Sequence, residues 1–152
     1  MNDPQISIRP FLEEDLGEWF RLRQLLWDQT EEEDHRSEMM DILVHTESQF
    51  VAVADLGNGR LAGFLEASIR PYVDDCHSEN VGYLEGWFVD PAYRRLGVGT
   101  RLVNLAERWA KGKGCSEMAS DAEIDNETSI AAHSHLGYDE TSRLVHYRKE
   151  LY

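Results

Sequence analysis

The stretch YLEGWFVDPAYRRLGVGTRLV, residues 83–103, decides the fold. Its first part belongs to an apolar run over 81–90, rich in aromatic and β-branched residues, which predicts a strand. Two glycines, Gly97 and Gly99, then mark a turn. After the turn, apolar residues recur at helical spacing and predict a helix that ends near Gly112; they are Leu102, Leu105, Ala106 and Trp109. The segment is therefore a strand–turn–helix unit.

The turn over 94–100 has the features of an anion site. Glycine permits positive φ and close approach to the main chain, so several N–H groups can point inward. The helix start adds free amides and a positive dipole end, and Arg94 and Arg95 add charge. Leu102 stands where the dinucleotide fingerprint needs its third glycine, and the Walker A lysine is missing, which disfavours NAD and ATP. We expect a phosphate or pyrophosphate here, although a chance glycine turn is the alternative for this segment alone.

The rest of the chain alternates strand and helix signals, with the turn residues Gly57, Asn58 and Gly59 predicting a hairpin. Such an order predicts an α/β fold with helices on both sides of one sheet. The predicted elements are a strand at Ile6–Pro10, a helix at Glu13–Trp27, a second, shorter helix around MMDILVH (39–45), strands at Gln49–Asp55, Leu61–Ile69 and Val81–Asp90, the helix already described, a strand within SEMASD (116–121), a helix from Asn126 through Leu136, and a final strand in LVHYRKELY (144–152).

The composition indicates the kind of partner. The 152 residues suit a single domain and carry a net charge of −14, from 29 acidic and 15 basic side chains. That charge repels nucleic acid and anionic membranes and favours a cationic partner, although solubility alone is the other explanation. No apolar run approaches a membrane span, and the N-terminus has no signal-peptide pattern, so we expect a cytoplasmic protein. His133 and His135 point in different directions on their predicted helix, and we expect no metal.

Two spaced motifs carry a family resemblance. Arg94, Gly97 and Gly99 fill the pattern [QR]-x-x-G-x-[GA]. In DNETSIAAHSHLGY (125–138), Asn126 lies eleven residues before Gly137. With these motifs the chain resembles the Gcn5-related N-acetyltransferases (GNAT). The resemblance implies an α/β fold with a mixed, mostly antiparallel sheet flanked by helices on both faces, and one GNAT domain over 1–152.

The same resemblance implies acetyl-CoA as cosubstrate, with its pyrophosphate on the glycine turn and Asn126 touching the pantetheine or capping its helix. The family's tyrosine four residues before the second motif's glycine is replaced here by His133. The expected coenzyme-binding residues are Phe88, Val89, Arg94, Arg95, Leu96, Gly97, Val98, Gly99, Thr100, Asn126 and His133.

Further blocks are similar to one branch of the family, the aminoglycoside 6′-N-acetyltransferases of the chromosomal Gram-negative type. They are LRQLLW (22–27), EASIRPYVDDC (66–76), LEGWFVDP (84–91), KGCSEMASD (113–121) and HLGYDETSRLVHYRK (135–149). This likeness implies a cationic aminoglycoside substrate, a role in antibiotic resistance, and a homodimer with the C-terminal strand near or across the partner.

Acetyl transfer to an amine needs a base, because the amine is mostly protonated at neutral pH. Glu85 is the leading candidate, since it stands in the strand before the coenzyme turn among apolar neighbours. A carboxylate that faces solvent or pairs with an arginine is the alternative. Asp121 is the second acidic candidate and is expected to bind an ammonium group or share the base role, unless it only caps a loop.

Three aromatic residues complete the expected site. The resemblance implies that Trp27 and Tyr72 wall the aminoglycoside pocket, and aromatic faces suit sugar rings and nearby cations. For Trp27, a core tryptophan at a helix end is the alternative. The resemblance to this branch of the family makes Tyr147 the preferred proton donor to the leaving thiolate, followed by His133, while protonation by solvent is a third route.

Two other functions share these sequence features. A GNAT enzyme acting on a polyamine, another small amine or a protein N-terminus has the same coenzyme turn, and negative charge also suits polyamines. A non-catalytic acyl-CoA sensor keeps the turn without turnover. The presence of Glu85 and Asp121 favours an enzyme over a sensor.

Overall fold

A computed structural model describes residues 5–152. Within that range the backbone forms five strands and four α-helices. The strands are β1 (Ser7–Pro10), β2 (Gln49–Asp55), β3 (Leu61–Arg70), β4 (Val81–Val89) and β5 (Met118–Ser120), and the helices are α1 (Leu16–Leu26), α2 (Glu32–Val44), α3 (Val98–Gly112) and α4 (Glu127–His135).

The strands form one mixed sheet in chain order, β1-β2-β3-β4-β5. The first four strands are antiparallel neighbours, and β5 pairs parallel with β4. The predicted hairpin joins β2 to β3, where Gly57 and Gly59 have φ of 82° and 81°, a region that favours glycine. The predicted fold class is confirmed.

Different helices cover the two faces of the sheet. Val51 of β2 belongs to a buried cluster with Trp19 of α1 and Met39 of α2. Its neighbour Phe50 stacks on Trp109 of α3 with ring centroids 5.1 Å apart. Because successive side chains of a strand point to opposite faces, α1 and α2 lie on one face and α3 lies on the other.

The second helix differs from its prediction. It was expected to be shorter than the first, but α2 has 13 residues and α1 has 11. Glu32, Glu33 and Asp34, which precede the helix predicted around 39–45, form the first turn of α2. Negative side chains at a helix N-terminus interact favourably with its dipole, so the acidic run extends the helix instead of preceding it.

Strand β4 contains a bulge. Its pairing with β3 includes Ala67↔Leu84 and then Glu66↔Gly86, which leaves Glu85 without a partner on β3. An extra residue of this kind bends the strand and redirects its side chain. The bulge thereby turns Glu85 toward the cavity that Glu66 also lines.

Strands β4 and β5 pair over only three residues. Gly82–Leu84 pairs with Met118–Ser120, and 85–89 has no pairing with β5. The part of β4 that contains the bulge and leads toward the turn at 94–100 therefore has no ladder with β5.

The chain divides into two units, the first ending at Ser120 and the second comprising Asp121–Tyr152. In the second unit, Asn126 caps α4 as expected, because its side-chain oxygen accepts a hydrogen bond from Ser129 N at 3.1 Å. The final strand predicted over 144–152 is wrong, since 138–152 contains no helix or strand. A strand needs a partner to hydrogen-bond with, and no other described strand pairs with this segment.

No helix within residues 5–152 is long and apolar enough to cross a bilayer.

Candidate active site

The turn before α3 has the backbone of an anion cradle. Arg95 has φ of 66° and Gly97 has φ of 77°, both in the left-handed region. Gly97 is the N-cap of α3 and provides no side-chain cap to the helix. The first N–H groups of a helix have no acceptor within it, so those after Gly97 are available to a ligand.

The two motif glycines are required for different reasons. A Cβ on Gly97 would meet no atom within 4 Å, so glycine is favoured there by its φ. A Cβ on Gly99 would lie 3.1 Å from Trp87 Nε1, so glycine is favoured there by space. One residue shapes the turn and the other lets α3 pack closely against β4.

Arg94 connects the turn to the end of β4. Its Nε donates a hydrogen bond to the carbonyl oxygen of Val89 at 2.8 Å, and its guanidinium lies 5.5 Å from the centre of the Phe88 ring. The other guanidinium nitrogens keep their charge and donors for a ligand. The turn, with Arg95 beside it, fits a diphosphate.

A cavity of about 420 Å³ lies beside the bulge of β4. It carries four carboxylates and a single arginine among its lining side chains, and is consequently suited to a cation. The lining residues are Arg23, Trp27, Thr30, Glu38, Asp41, Ile42, His45, Gln49, Glu66 and Glu85.

Glu85 has polar partners in place of the apolar surroundings expected for it. Its Oε1 accepts hydrogen bonds from Ser68 Oγ at 2.6 Å and from Arg70 Nε at 2.9 Å, and its Oε2 accepts one from Arg70 Nη2 at 2.7 Å. The alternative considered for this residue, pairing with an arginine, is what the structure shows. A carboxylate oxygen has two lone pairs, so Oε2 retains acceptor capacity for a ligand.

Glu66 is a residue of this cavity that the sequence interpretation missed. It is 4% exposed and accepts a hydrogen bond from Trp19 Nε1 at 2.9 Å. Burial raises its pKa to about 7, even though Arg23 and Trp19 oppose the change, and Glu38 and Glu85 raise it further. A lone acidic residue within the apolar strand LAGFLEAS was the available signal.

Arg23 is shared by two carboxylates. Its Nη2 donates to Glu38 Oε2 at 2.6 Å, and its Nε lies 3.2 Å from Glu66 Oε2. The Arg23 side chain is 3% exposed, and its Nε and Nη1 form no hydrogen bond within residues 5–152. One buried guanidinium thus faces two carboxyl groups.

Trp27 closes one side of this cavity. Its indole covers Gly86 of β4, the Arg23 guanidinium lies 4.7 Å from its ring centre, and Phe64 meets it edge-on at 6.1 Å. His35 Nε2 lies 3.2 Å from the carbonyl oxygen of Trp27. Trp27 therefore lines the cavity and also packs against the core.

The loop between β3 and β4, 71–80, carries the second aromatic residue, Tyr72. Tyr72 is 71% exposed, and its hydrogen bond with Asp74 raises its pKa. Glu117, directly before β5, holds this loop by accepting hydrogen bonds from His77 N, Ser78 N and Ser78 Oγ at 2.8, 2.7 and 2.5 Å. These hydrogen bonds lower the pKa of Glu117, and the bond from Ser78 Oγ has the largest effect.

Comparison with known proteins identifies the family. The acetyltransferase (GNAT) family profile matches residues 19–138. The chain belongs to the GNAT family. It is 41% identical to an aminoglycoside N(6′)-acetyltransferase type 1 of Klebsiella aerogenes, over 98% of this chain and 99% of that protein. The predicted resemblance is confirmed.

Solved GNAT structures agree with this likeness. AAC(6′)-Iy in complex with the bisubstrate analogue CoA-S-monomethyl-acetylneamine superposes with a TM-score of 0.90 at 37% identity, covering 97% of this chain and 99% of that one. Apo AAC(6′)-Ig from Acinetobacter haemolyticus gives 0.88 at 40% identity, covering 95% and 99%.

Four of the predicted GNAT site residues lie in the second unit. Asp121 and Tyr147 are exposed, and Tyr147 is 92% accessible. His133 Nδ1 lies 2.7 Å from the carbonyl oxygen of Ser129, its neighbour one turn earlier in α4, while Asn126 caps the helix. Because a carbonyl only accepts, Nδ1 carries the proton in the neutral ring.

Residues 5–152 contain no group of three or more His, Cys, Asp or Glu side chains placed to hold an ion.

Proposed function

We propose that this protein is an acetyl-CoA-dependent aminoglycoside 6′-N-acetyltransferase that transfers the acetyl group directly, without a covalent enzyme intermediate. The observation that carries the proposal is the near-complete alignment at 41% identity to an aminoglycoside N(6′)-acetyltransferase, combined with a cavity whose ionisable lining is mainly acidic. An aminoglycoside carries several ammonium groups, and such a cavity favours them.

The coenzyme is held at the start of α3. Acetyl-CoA supplies the acyl group as an activated thioester. The main-chain N–H groups after Gly97, with Arg94 and Arg95, bind its pyrophosphate, and Gly99 keeps the main chain within reach. AAC(6′)-Iy, which shares this fold at 37% identity, forms a complex with a CoA-linked bisubstrate analogue, and this supports the choice of coenzyme.

Glu85 receives the acceptor amine. Its Oε2 has capacity for one more hydrogen bond, and Ser68 and Arg70 fix the orientation of the carboxylate. In the proposal, Glu85 takes the proton of the ammonium group, directly or through one water, and so generates the nucleophilic amine. Asp121, Trp27 and Tyr72 are the other proposed substrate contacts.

Protonation of the leaving thiolate is assigned to Tyr147. The phenol is exposed, and a tyrosine O–H can donate a proton. His133 is less suited, because its Nδ1 is occupied by the Ser129 carbonyl. His133 is instead proposed to contact the coenzyme, as is Asn126.

We propose further that the enzyme is a homodimer and acts in the cytoplasm, where the cosubstrate is available. Support for a dimer comes from the C-terminal segment, which has no strand partner among the described residues yet exposes apolar side chains. These are Leu144, Val145, Tyr147, Leu151 and Tyr152. Light scattering of the purified protein tests this, with twice the chain mass expected.

A polyamine is the alternative acceptor that the acidic cavity also favours. The test compares thiol release from acetyl-CoA with tobramycin, spermidine and a short peptide as acceptors under identical conditions. We expect kcat/KM for tobramycin to exceed the other two by at least about tenfold, a difference of about 1.4 kcal/mol. Preferential turnover of spermidine would replace the proposal with the alternative, and coenzyme binding without turnover would indicate a sensor. Expression in a susceptible host, which should gain aminoglycoside resistance, tests the biological role.

A further inference from the structure

The charges around Glu66 do not balance when the cavity is empty of cations. Arg23 contributes one positive charge and faces both Glu66 and Glu38. Glu85 has its own partner in Arg70, at 2.7 Å. When all these groups are ionised, the carboxylates of Glu38, Glu66 and Glu85 outnumber the guanidinium groups of Arg23 and Arg70 by one. Glu66 is buried, whereas the Glu38 side chain is 56% exposed.

A proton on Glu66 removes this excess. Glu66 is the most buried of the cavity carboxyls and shares Arg23 with Glu38, and a buried charge that is only partly compensated is costly. The raised pKa of Glu66, caused first by burial and then by Glu38 and Glu85, points the same way. A cation that enters the cavity can compensate the negative charge of the Glu66 carboxylate in place of that proton.

The groups that face Glu66 come from three elements. Arg23 and Trp19 contribute from α1, Glu38 from α2, and Glu85 from β4. Asp41 and His45 complete the ionisable lining of the cavity; their side chains are largely exposed, and solvent screens them. Glu66 is accordingly the group whose ionisation responds most to a cation.

We propose that Glu66 is a proton-exchanging residue of the acceptor cavity, protonated when the cavity is free and ionised when a cationic amine is bound. The exchange is balanced: the carboxyl O–H breaks, the proton passes to the buffer, and the carboxylate faces the incoming ammonium group with Arg23. Glu66 thus positions the acceptor electrostatically and couples its binding to pH. The inference rests on the proposed function for the identity of the acceptor.

Isothermal titration calorimetry tests the coupling. Tobramycin is titrated at pH 6, with saturating coenzyme A, into the wild-type protein and Glu66→Gln in buffers of different ionisation enthalpy. We expect the wild type to release about one proton more per site than Glu66→Gln, because Glu66 is mostly protonated at that pH. Glu14→Gln, which changes an exposed carboxylate in the same way, should match the wild type. A purely structural role for Glu66 does not change the proton count.

Equal proton release by the wild type and Glu66→Gln would overturn the inference, even with normal turnover of tobramycin. If the wild type neither binds nor acetylates tobramycin, the proposed function is overturned, and this inference with it. If Glu66→Gln does not fold, the carboxyl ¹³C resonance of Glu66 in the wild type decides. It should move to the ionised position when tobramycin is added at pH 6, and an unmoved resonance contradicts the exchange.

Discussion

Trp27 lies directly on Gly86: a Cβ at position 86 would come within 2.4 Å of Trp27 Cζ2 and 2.6 Å of Cη2. Gly86 neighbours the bulged Glu85, so the close approach joins the cavity's aromatic wall to the strand that holds the proposed base. The glycine is needed for space, and Trp27 can lie flat on β4 only while residue 86 has no side chain.

Replacing Gly86 with Ala should displace Trp27 and raise KM for the acceptor. Overpacking of this kind costs about 1–3 kcal/mol, which thermal unfolding will show. Gly17→Ala is the control, since a Cβ there meets nothing within 4 Å and alanine favours α1. Unchanged stability and unchanged acceptor KM in Gly86→Ala would contradict the role given to this contact.

Replacing Glu85 with Gln should lower kcat by at least about 100-fold, the lower end of what general-base catalysis contributes. The amide cannot accept the ammonium proton, while it retains an acceptor oxygen for Arg70 and Ser68, so KM should change less than kcat. Ser68→Ala is the comparison, because it removes one donor to Oε1 and leaves the base in place. A pH–rate profile identical in wild type and Glu85→Gln would remove Glu85 as the base.

Substitution of either motif glycine, Gly97 or Gly99, in the turn at 94–100 should weaken coenzyme binding. Gly97→Ala puts a side chain at φ of 77°, which costs about 1–2 kcal/mol, and Gly99→Ala crowds Trp87 Nε1. We expect weaker coenzyme A binding in each, measured by calorimetry without acceptor. Gly112→Ala, at the open end of α3, should bind like the wild type. Normal coenzyme affinity in both motif variants would show that the diphosphate binds elsewhere.

The Glu117 contacts should hold the loop at 71–80 in place. Glu117→Gln weakens three hydrogen bonds to His77 and Ser78, so backbone amides of that loop should exchange faster with solvent. We expect acceptor KM to rise several-fold while coenzyme affinity stays constant. Glu79→Gln removes one exposed charge from the same loop and serves as the control. Wild-type exchange rates in Glu117→Gln would exclude this anchoring role.

The ionisation of Glu66 should also appear in the stability of the protein. Its pKa in the folded state, about 7, lies above the ordinary value of 4.5. Its contribution to stability is therefore complete below about pH 4.5 and is lost as the pH rises through about 7. Relative to Glu66→Gln, the wild type should lose free energy of unfolding across that range. The free energy of unfolding of both proteins is measured by urea denaturation from pH 4.5 to 7.5. The same pH dependence in the wild type and in Glu66→Gln would contradict the raised pKa.

Local chemistry explains which parts of the fold were predictable. The turn at 94–100 and the hairpin at 57–59 depend on glycines whose φ values follow from neighbouring residues, and both were predicted. The cap at Asn126 is equally local. The expected strand at 144–152 required a pairing partner, which a single sequence does not specify.

The electrostatics of the candidate site depend on pairing between strands. Arg70 meets Glu85 because β3 and β4 are antiparallel and the bulge shifts their register, and neither strand shows this by its own pattern. Glu66 was missed for the same reason: its neighbours Trp19, Arg23 and Glu38 come from two helices distant in sequence. The assignment of Glu85, Asp121 and Tyr147 to individual catalytic steps remains a prediction.

The most direct test of the central claim is the structure of the reaction product. The protein is incubated with acetyl-CoA and tobramycin, and the product is examined by mass spectrometry and two-dimensional NMR. We expect a single acetyl group on the 6′ nitrogen, and we expect Glu85→Gln to form little of this product. Acetylation at another nitrogen, or no product alongside normal coenzyme binding, would contradict it.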